Sequence, residues 1–176
     1  MTDTPEDASD AKATTVRAAV EADMPAVLAI YNDAVLTTTA TYDYDPRALD
    51  AQVAILREKE RDGFAMFVAQ DRPGRILGFS TYGMFRTRPG WRFACEHSVY
   101  VEREARGRGV GSLLMPPVMA HARSRGFHSM VGVIDAANSA SIALHERFGF
   151  TLCGIMREGG FKFDRWLDVA FMQALL

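Results

Sequence analysis

Val99 to Ser112 reads Val-Tyr-Val-Glu-Arg-Glu-Ala-Arg-Gly-Arg-Gly-Val-Gly-Ser. A β-branched, aromatic run ends in a polar turn, three glycines follow, and Leu113, Leu114 and Met115 continue as a helix former. A strand that feeds a glycine-rich helix start presents bare backbone N–H groups, and these suit a phosphate. Just upstream stands Glu96-His97-Ser98. A carboxylate among apolar strand residues has a raised pKa and can take a proton directly or through water. Arg86, Thr87 and Arg88 precede that segment in a loop. Two guanidinium groups near a base can clamp oxyanions in a bidentate geometry that lysine cannot match.

Two familiar phosphate loops do not fit. A nucleotide-triphosphate loop needs Gly-Lys-Ser/Thr, and no lysine stands there. A dinucleotide fingerprint fits at Gly107 and Gly109, but its third glycine position is Ser112. No acid follows at the expected spacing of about 20 residues; the next is Asp135.

These residues must be held by elements that the pattern predicts in order. Residues 1–14 are polar and acidic and read as a disordered tail, and residues 15–176 as a single domain. The pattern predicts strands over 15–19, 64–70, 76–84, 92–101, 128–135, 151–156 and 166–175. It predicts helices over 21–36, 46–61, 109–125 and 139–148, the last capped by Asn138. Residues 37–45 form a loop rich in Thr, Tyr and Asp, where Thr39, Thr41 and Tyr42 can line a pocket. Pro116 and Pro117 predict a kink in the third helix. A Gly-rich connection around Gly159-Gly160 joins the last two strands. The order β-α-α-β-β-β-α-β-α-β-β implies an α+β, three-layer fold: a mixed, largely antiparallel sheet flanked by helices.

Composition narrows the function classes. The 176 residues carry a net charge of −2, so no global field points to nucleic acid. Only Lys12, Lys59 and Lys162 are lysines; the other basic residues are arginines. No apolar run reaches the roughly 18 residues of a membrane span, and no leader pattern opens the chain. Cys95 and Cys153 lie in strand-like segments without metal-ligand spacing, which fits a reducing cytoplasm and no metal.

A third loop pattern, Arg/Gln-x-x-Gly-x-Gly/Ala after Val-x-Val, is satisfied by Val99, Val101, Arg106, Gly109 and Gly111. It resembles the acetyl-CoA loop of the GNAT acetyltransferases. Asn138-Ser139-Ala140-Ser141 and Leu144 to Phe150 resemble that family's second cofactor segment, where an Asn contacts the pantetheine arm. Many members carry a tyrosine near the position of His145, where it can protonate the leaving thiolate. His145 itself reads as a packed or surface helix residue, and the general acid stays open. A narrower resemblance, to the phosphinothricin/methionine sulfoximine N-acetyltransferases, rests on Glu96-His97-Ser98-Val99-Tyr100-Val101, on Gly160-Phe161-Lys162-Phe163 and on Arg165-Trp166-Leu167-Asp168-Val169.

The resemblance implies an acetyl-CoA-dependent N-acetyltransferase that acts on the α-amine of a small amino acid or analogue, as a homodimer. It implies cofactor contacts from Val99, Tyr100, Val101, Arg106, Gly107, Arg108, Gly109, Val110, Gly111, Ser112 and Asn138. Glu96 is the candidate base. Arg86, Thr87, Arg88, Glu96, His97, Ser98 and Lys162 are the candidate acceptor residues, with Lys162 reaching the site across a dimer interface. Strand alternation sets Glu96, Ser98 and Tyr100 on one face and His97, Val99 and Val101 on the other. Acetylation of a protein N-terminus or a polyamine, and a non-catalytic acyl-CoA sensor, are the competing readings. A polyamine site should be acidic, and a sensor has no need of Glu96.

Overall fold

The computed structural model describes residues 14–176, so the expected tail lies outside the described residues except for Thr14. The elements follow the expected order: β1 (Thr15–Ala18), α1 (Met24–Thr37), α2 (Leu49–Arg61), β2 (Met66–Gln70), β3 (Ile76–Met84) and β4 (Ala94–Val101). Then come α3 (Val110–Ser124), β5 (Ser129–Asp135), α4 (Ser139–Arg147), β6 (Thr151–Lys162) and β7 (Arg165–Leu175). The sheet order is β1-β2-β3-β4-β5-β7-β6. Its neighbours are antiparallel except β4 and β5.

Two apolar clusters make the three layers. On one face Val27, Ile30, Tyr31 and Val35 of α1 and Leu56 of α2 pack on Val68 and Phe79. On the other, Met115, Val118 and Ala122 of α3 pack with Tyr82, Cys95 and Met130, and Ile142 and Leu144 of α4 join them. The i, i+3, i+4 spacing of the α1 residues gives the helix one buried stripe, and alternation gives β4 two different faces.

Three expectations change in detail. The second helix starts at Leu49 rather than residue 46. The Asn32 side chain donates to Arg47 O (3.0 Å) and accepts from Arg47 N (2.9 Å), which holds that backbone outside the helix. The third helix is one continuous element through Pro116 and Pro117. The prolines deprive the carbonyls of Ser112 and Leu113 of their helical donors, and Leu113 is exposed, so water can serve there. On the buried side Ser80 Oγ donates to Leu114 O (3.0 Å) and ties the helix to β3.

The glycines expected to connect the last two strands lie within β6. β6 runs on to Lys162, with a register shift between Met156 and Gly160 that absorbs the irregular residues. There Glu158 adopts a positive φ and its N–H donates to Asp168 Oδ1 (2.8 Å). A two-residue turn with positive φ at both Phe163 and Asp164 then returns the chain as β7, the mirror-image turn that matches strand twist.

The parallel pair positions the site. β4 meets β5 only at Ala94↔Ser129, Cys95↔Met130 and Glu96↔Val131. Beyond Glu96, β4 stays paired with β3 as far as Gly78↔Val101. β5 meanwhile stays paired with β7 as far as Asp135↔Val169. The two central strands therefore diverge, and a wedge opens through the sheet.

Candidate functional site

The wedge is a cleft of about 820 Å³. Glu96 to Val101 form one wall and Gly132 to Asp135 the other. On the α3–α4 side it is bounded by Arg106, Gly107, Gly109 to Ser112, Asn138, Ser141, Leu144, His145 and Arg147. On the α1 side the boundary is Ala34 and Thr38 to Tyr42. One channel thus crosses the sheet, with a loop of amides at one end and a polar pocket at the other.

The amide end follows from local structure. Gly109, with φ of 81°, turns the chain into α3, and the N–H groups of the first helical turn have no intrahelical acceptor. Arg106 Nε donates to Val101 O (3.2 Å), and its guanidinium lies 3.5 Å from Asp33. This ion pair draws its charge toward α1 and leaves the backbone to face the cleft. Arg108 is exposed and is not among the lining residues. Asn138 Oδ1 accepts from Ser141 N (3.0 Å) and caps α4 as expected.

The polar pocket is built on the opposite face of β4. Glu96 is partly buried and, among the described residues, makes no hydrogen bond or ion pair. Burial raises its pKa, and the Arg86 charge opposes the rise. Ser98 and Tyr100 follow along the same face. Burial pushes Tyr100 up to about 12, so its phenol stays neutral. Loop 38–47 roofs this pocket and is pinned at several points. Thr39 Oγ1 donates to the buried Asp135 Oδ2 (2.5 Å), and Tyr44 Oη donates to Phe161 O (2.6 Å).

Lys162 Nζ donates to Thr41 O (2.7 Å), and its buried position lowers its pKa. Within one protomer this lysine fastens the roof and is not itself a lining residue. Arg86, Thr87 and Arg88 are exposed and outside the lining set. Arg86 folds over the Phe85 ring at 4.1 Å, close enough for its charge to act on Glu96.

His97 points away from Glu96, into a pair with His145. Their Nε2 atoms are 3.0 Å apart, and His145 Nδ1 is 2.7 Å from Ser141 O. A carbonyl only accepts, so His145 carries its proton on Nδ1. Its Nε2 then accepts from His97 Nε2–H, and His97 Nδ1 is a buried lone pair without a partner. Burial lowers both pKa values, that of His97 to about 3; His145 adds to the lowering at His97, while the Ser141 carbonyl opposes it at His145. The pair is neutral, and neither imidazole has an unengaged N–H. Gly132 makes room for it: a Cβ there would lie 2.6 Å from His145 Nε2.

Tyr42 lines the cleft as expected, while three other lining residues, Asp135, His145 and Arg147, escaped the sequence reading in part or whole. Asp135 registered only as an acid misplaced for dinucleotide binding, although it ends a strand beside the wedge. Tyr42 lines the cleft with a buried, unpartnered hydroxyl. His145 is buried as a packed helix residue, and it lines the cleft as well. Arg147 comes from the end of α4; it lies within the segment that resembles the family's second cofactor segment, three residues from Leu144 on one helix face. Among the described residues no cluster of three or more metal-ligating side chains occurs, and no helix is long and apolar enough to cross a membrane.

The acetyltransferase (GNAT) family model matches residues 26–150. The chain is 45% identical over 158 residues to the L-methionine sulfoximine/L-methionine sulfone acetyltransferase of Pseudomonas aeruginosa, covering 90% of this chain and 92% of that protein. It is 34% identical over 162 residues to the phosphinothricin N-acetyltransferase of Alcaligenes faecalis, covering 92% and 82%. A Salmonella typhimurium acetyltransferase solved with its cofactor acetyl-CoA superposes with a TM-score of 0.91 at 38% identity, covering 94% of this chain and 95% of that one.

The neutral histidine pair predicts an acid-labile fold. In the unfolded chain each histidine titrates near pH 6.5, whereas both folded values are lower. The native state then binds fewer protons, so stability is full above about pH 6.5 and is lost as pH falls toward the folded values. Urea midpoints measured across that window should fall more steeply for the wild type than for the double variant His97→Leu/His145→Leu. Equal slopes would show that the pair titrates normally.

Proposed function

The chain belongs to the acetyltransferase (GNAT) family, and we propose that it transfers the acetyl group of acetyl-CoA to the α-amine of a small amino acid or analogue. Methionine sulfoximine, methionine sulfone and phosphinothricin are the reference acceptors, as the names of the similar proteins suggest. The observation that carries the reading is the through-sheet cleft, with helix-start amides at one end and an unpaired, partly buried Glu96 at the other.

Acetyl-CoA lays its pyrophosphate on the amides of Gly107 to Ser112 and runs its pantetheine arm between β4 and β5, beside Asn138. The arm occupies the gap where Val99 and Val101 have no β5 partner. A backbone N–H near Val99 polarises the thioester carbonyl. The acceptor enters from the α1 side, under the 38–47 roof.

α-Ammonium predominates at neutral pH, so one proton must leave before the nitrogen attacks. Glu96 takes it, and its raised pKa brings it nearer the working range of a base. The nitrogen lone pair forms the N–C bond, the C–S bond breaks, and the thiolate departs. The second amine proton, shed as the intermediate collapses, ends on the thiolate sulfur. Neither histidine is needed as the acid, since both N–H groups are already engaged. Arg86 stands at the mouth of the acceptor end, where it can meet the α-carboxylate.

The working unit is a homodimer. β6 is an edge strand, with Leu152, Ile155 and Met156 exposed, and the adjoining hairpin adds exposed Phe161, Phe163 and Trp166. So many exposed apolar side chains on one edge strand and its hairpin call for a partner. Light scattering should return twice the 19.5 kDa chain mass, and Phe163→Glu/Trp166→Glu should halve it. A monomeric wild type would refute the assembly. The cytoplasm, with its acetyl-CoA supply, is the proposed location.

Glu96→Gln should lower kcat by about 10²–10⁴ while acetyl-CoA binding is kept. An unaltered kcat would remove Glu96 from the base role. A thiol-release assay over an amino-acid panel should find turnover with the three reference acceptors. Arg86→Ala should raise KM for the acceptor and leave that for acetyl-CoA unchanged. Turnover confined to peptides or polyamines would favour the competing acceptor classes, and no turnover with any amine would favour the sensor.

A further inference from the structure

We propose that Lys59, in the last turn of α2, receives the α-carboxylate of the acceptor while Glu96 faces its ammonium. The inference rests on the reading of Glu96 as the base for an amino-acid acceptor, and it adds a binding residue that lies outside the cleft.

The placement follows from the β3–β4 ladder. Phe79, Thr81 and Gly83 of β3 stand opposite Tyr100, Ser98 and Glu96 of β4. Opposite residues of a ladder share a face, and Phe79 fixes this one as the side covered by α1 and α2. At the third pair β3 offers no side chain. A Cβ on Gly83 would lie 3.8 Å from Lys59 Nζ, so the ammonium occupies the space above the glycine, next to Glu96. Opposite Cβ positions are about 4.5–5.5 Å apart, which puts Lys59 Nζ within roughly 9 Å of the Glu96 Cβ. Lys59, Gly83 and Glu96 are all half-buried, so this recess is open to solvent.

The lysine is held there without a counter-charge. A basic residue in the last turn of a helix normally serves that helix's own negative end. Lys59 instead crosses to β3, where Nζ donates to Tyr82 O (2.8 Å) and lies 6.0 Å from the centre of the Phe64 ring. That carbonyl engages one of three protons, and among the described residues no carboxylate pairs with this ammonium. Burial lowers its pKa; the exposed Glu58 opposes the fall, and Arg47 adds to it. Arg47 itself is engaged by the Tyr31 hydroxyl (2.7 Å) and by Asp43 (3.1 Å). A half-buried cation in this state gains from a bound anion.

Glu96 and Lys59 thus offer opposite charges at two points of one face. An α-amino acid carries the complementary charges on one carbon. With a hydrogen bond of about 2.8 Å at each end, its zwitterion bridges about 8–9 Å, a span that the gap over Gly83 accommodates. Ammonium toward Glu96 and carboxylate toward Lys59 is the orientation that pairs both charges. Arg86 meets the same carboxylate from the solvent side. A polyamine or a peptide N-terminus has no α-carboxylate to set on Lys59, so the arrangement selects free amino acids.

Methionine sulfone and its α-amide, which keeps the amine and side chain but lacks the carboxylate, separate the outcomes. Wild-type kcat/KM should be at least about tenfold higher for the acid. Lys59→Gln keeps a donor for Tyr82 O and removes the charge. It should raise KM for methionine sulfone about tenfold and leave KM for acetyl-CoA unchanged. Its kcat/KM for the amide should stay within about twofold of wild type, since the amide brings no charge to Lys59. Lys59→Arg, which keeps the charge, should retain most of the preference for the acid. An equal penalty on acid and amide would reduce Lys59 to a strut for β3 and overturn the assignment. An unchanged KM for the acid, or a wild type that uses the amide equally well, would overturn it too. Wild-type turnover confined to polyamines or peptides would instead sink the amino-acid reading itself, a failure seen without any variant.

Discussion

Three residue pairs hold β4 against β5, and the ladder then ends at Glu96 and Val131. Each strand keeps its outer neighbour, β3 for one and β7 for the other, so the backbone groups on the inner edges are left facing a gap. Backbone N–H and C=O groups need partners when buried, and on the proposed reading a ligand laid between the strands supplies them. The cleft is open on both sheet faces for the same reason. The proposed function uses this opening to bring a donor from the α3–α4 side and an acceptor from the α1 side. Glu96 sits at the point of divergence because it is the last paired residue of β4.

The neighbourhood is arranged so that charge is separated along the channel. Positive helix-end dipole and arginine gather at the α3 end. Glu96 and Asp135 gather at the other, where Lys162 is spent on the roof and no lining residue is basic except the neutral histidines. Between them His97 and His145 form a neutral pair above a glycine notch, His97 donating to His145 and His145 to the Ser141 carbonyl.

The element order was legible because periodicity and punctuation agreed nearly everywhere. Where they misled, a side chain reached over: Asn32 held Arg47 out of α2, and Asp168 fastened Glu158 so that β6 could continue past its glycines. The glycine loop and the Asn138 cap were legible for a related reason, since both are local devices whose geometry is written in adjacent residues. The acceptor end was less so. Tyr42, Asp135 and Glu96 are distant in sequence, and only the pairing of β5 with β7 and the pinning of the roof by Thr39, Tyr44 and Lys162 bring them together.

By itself the sequence determined the layers, the glycine turn that opens α3, the strand with Glu96 and His97, and the two faces of that strand. These follow from spacing within one element, where backbone period fixes direction. The tertiary structure alone decided where the central strands diverge, that the two histidines share a proton as a neutral pair, that Lys162 fastens a loop, and that Arg147 lies over a second helix's start. Those depend on which elements become neighbours and at what register, and contact between residues dozens of positions apart leaves no period to read.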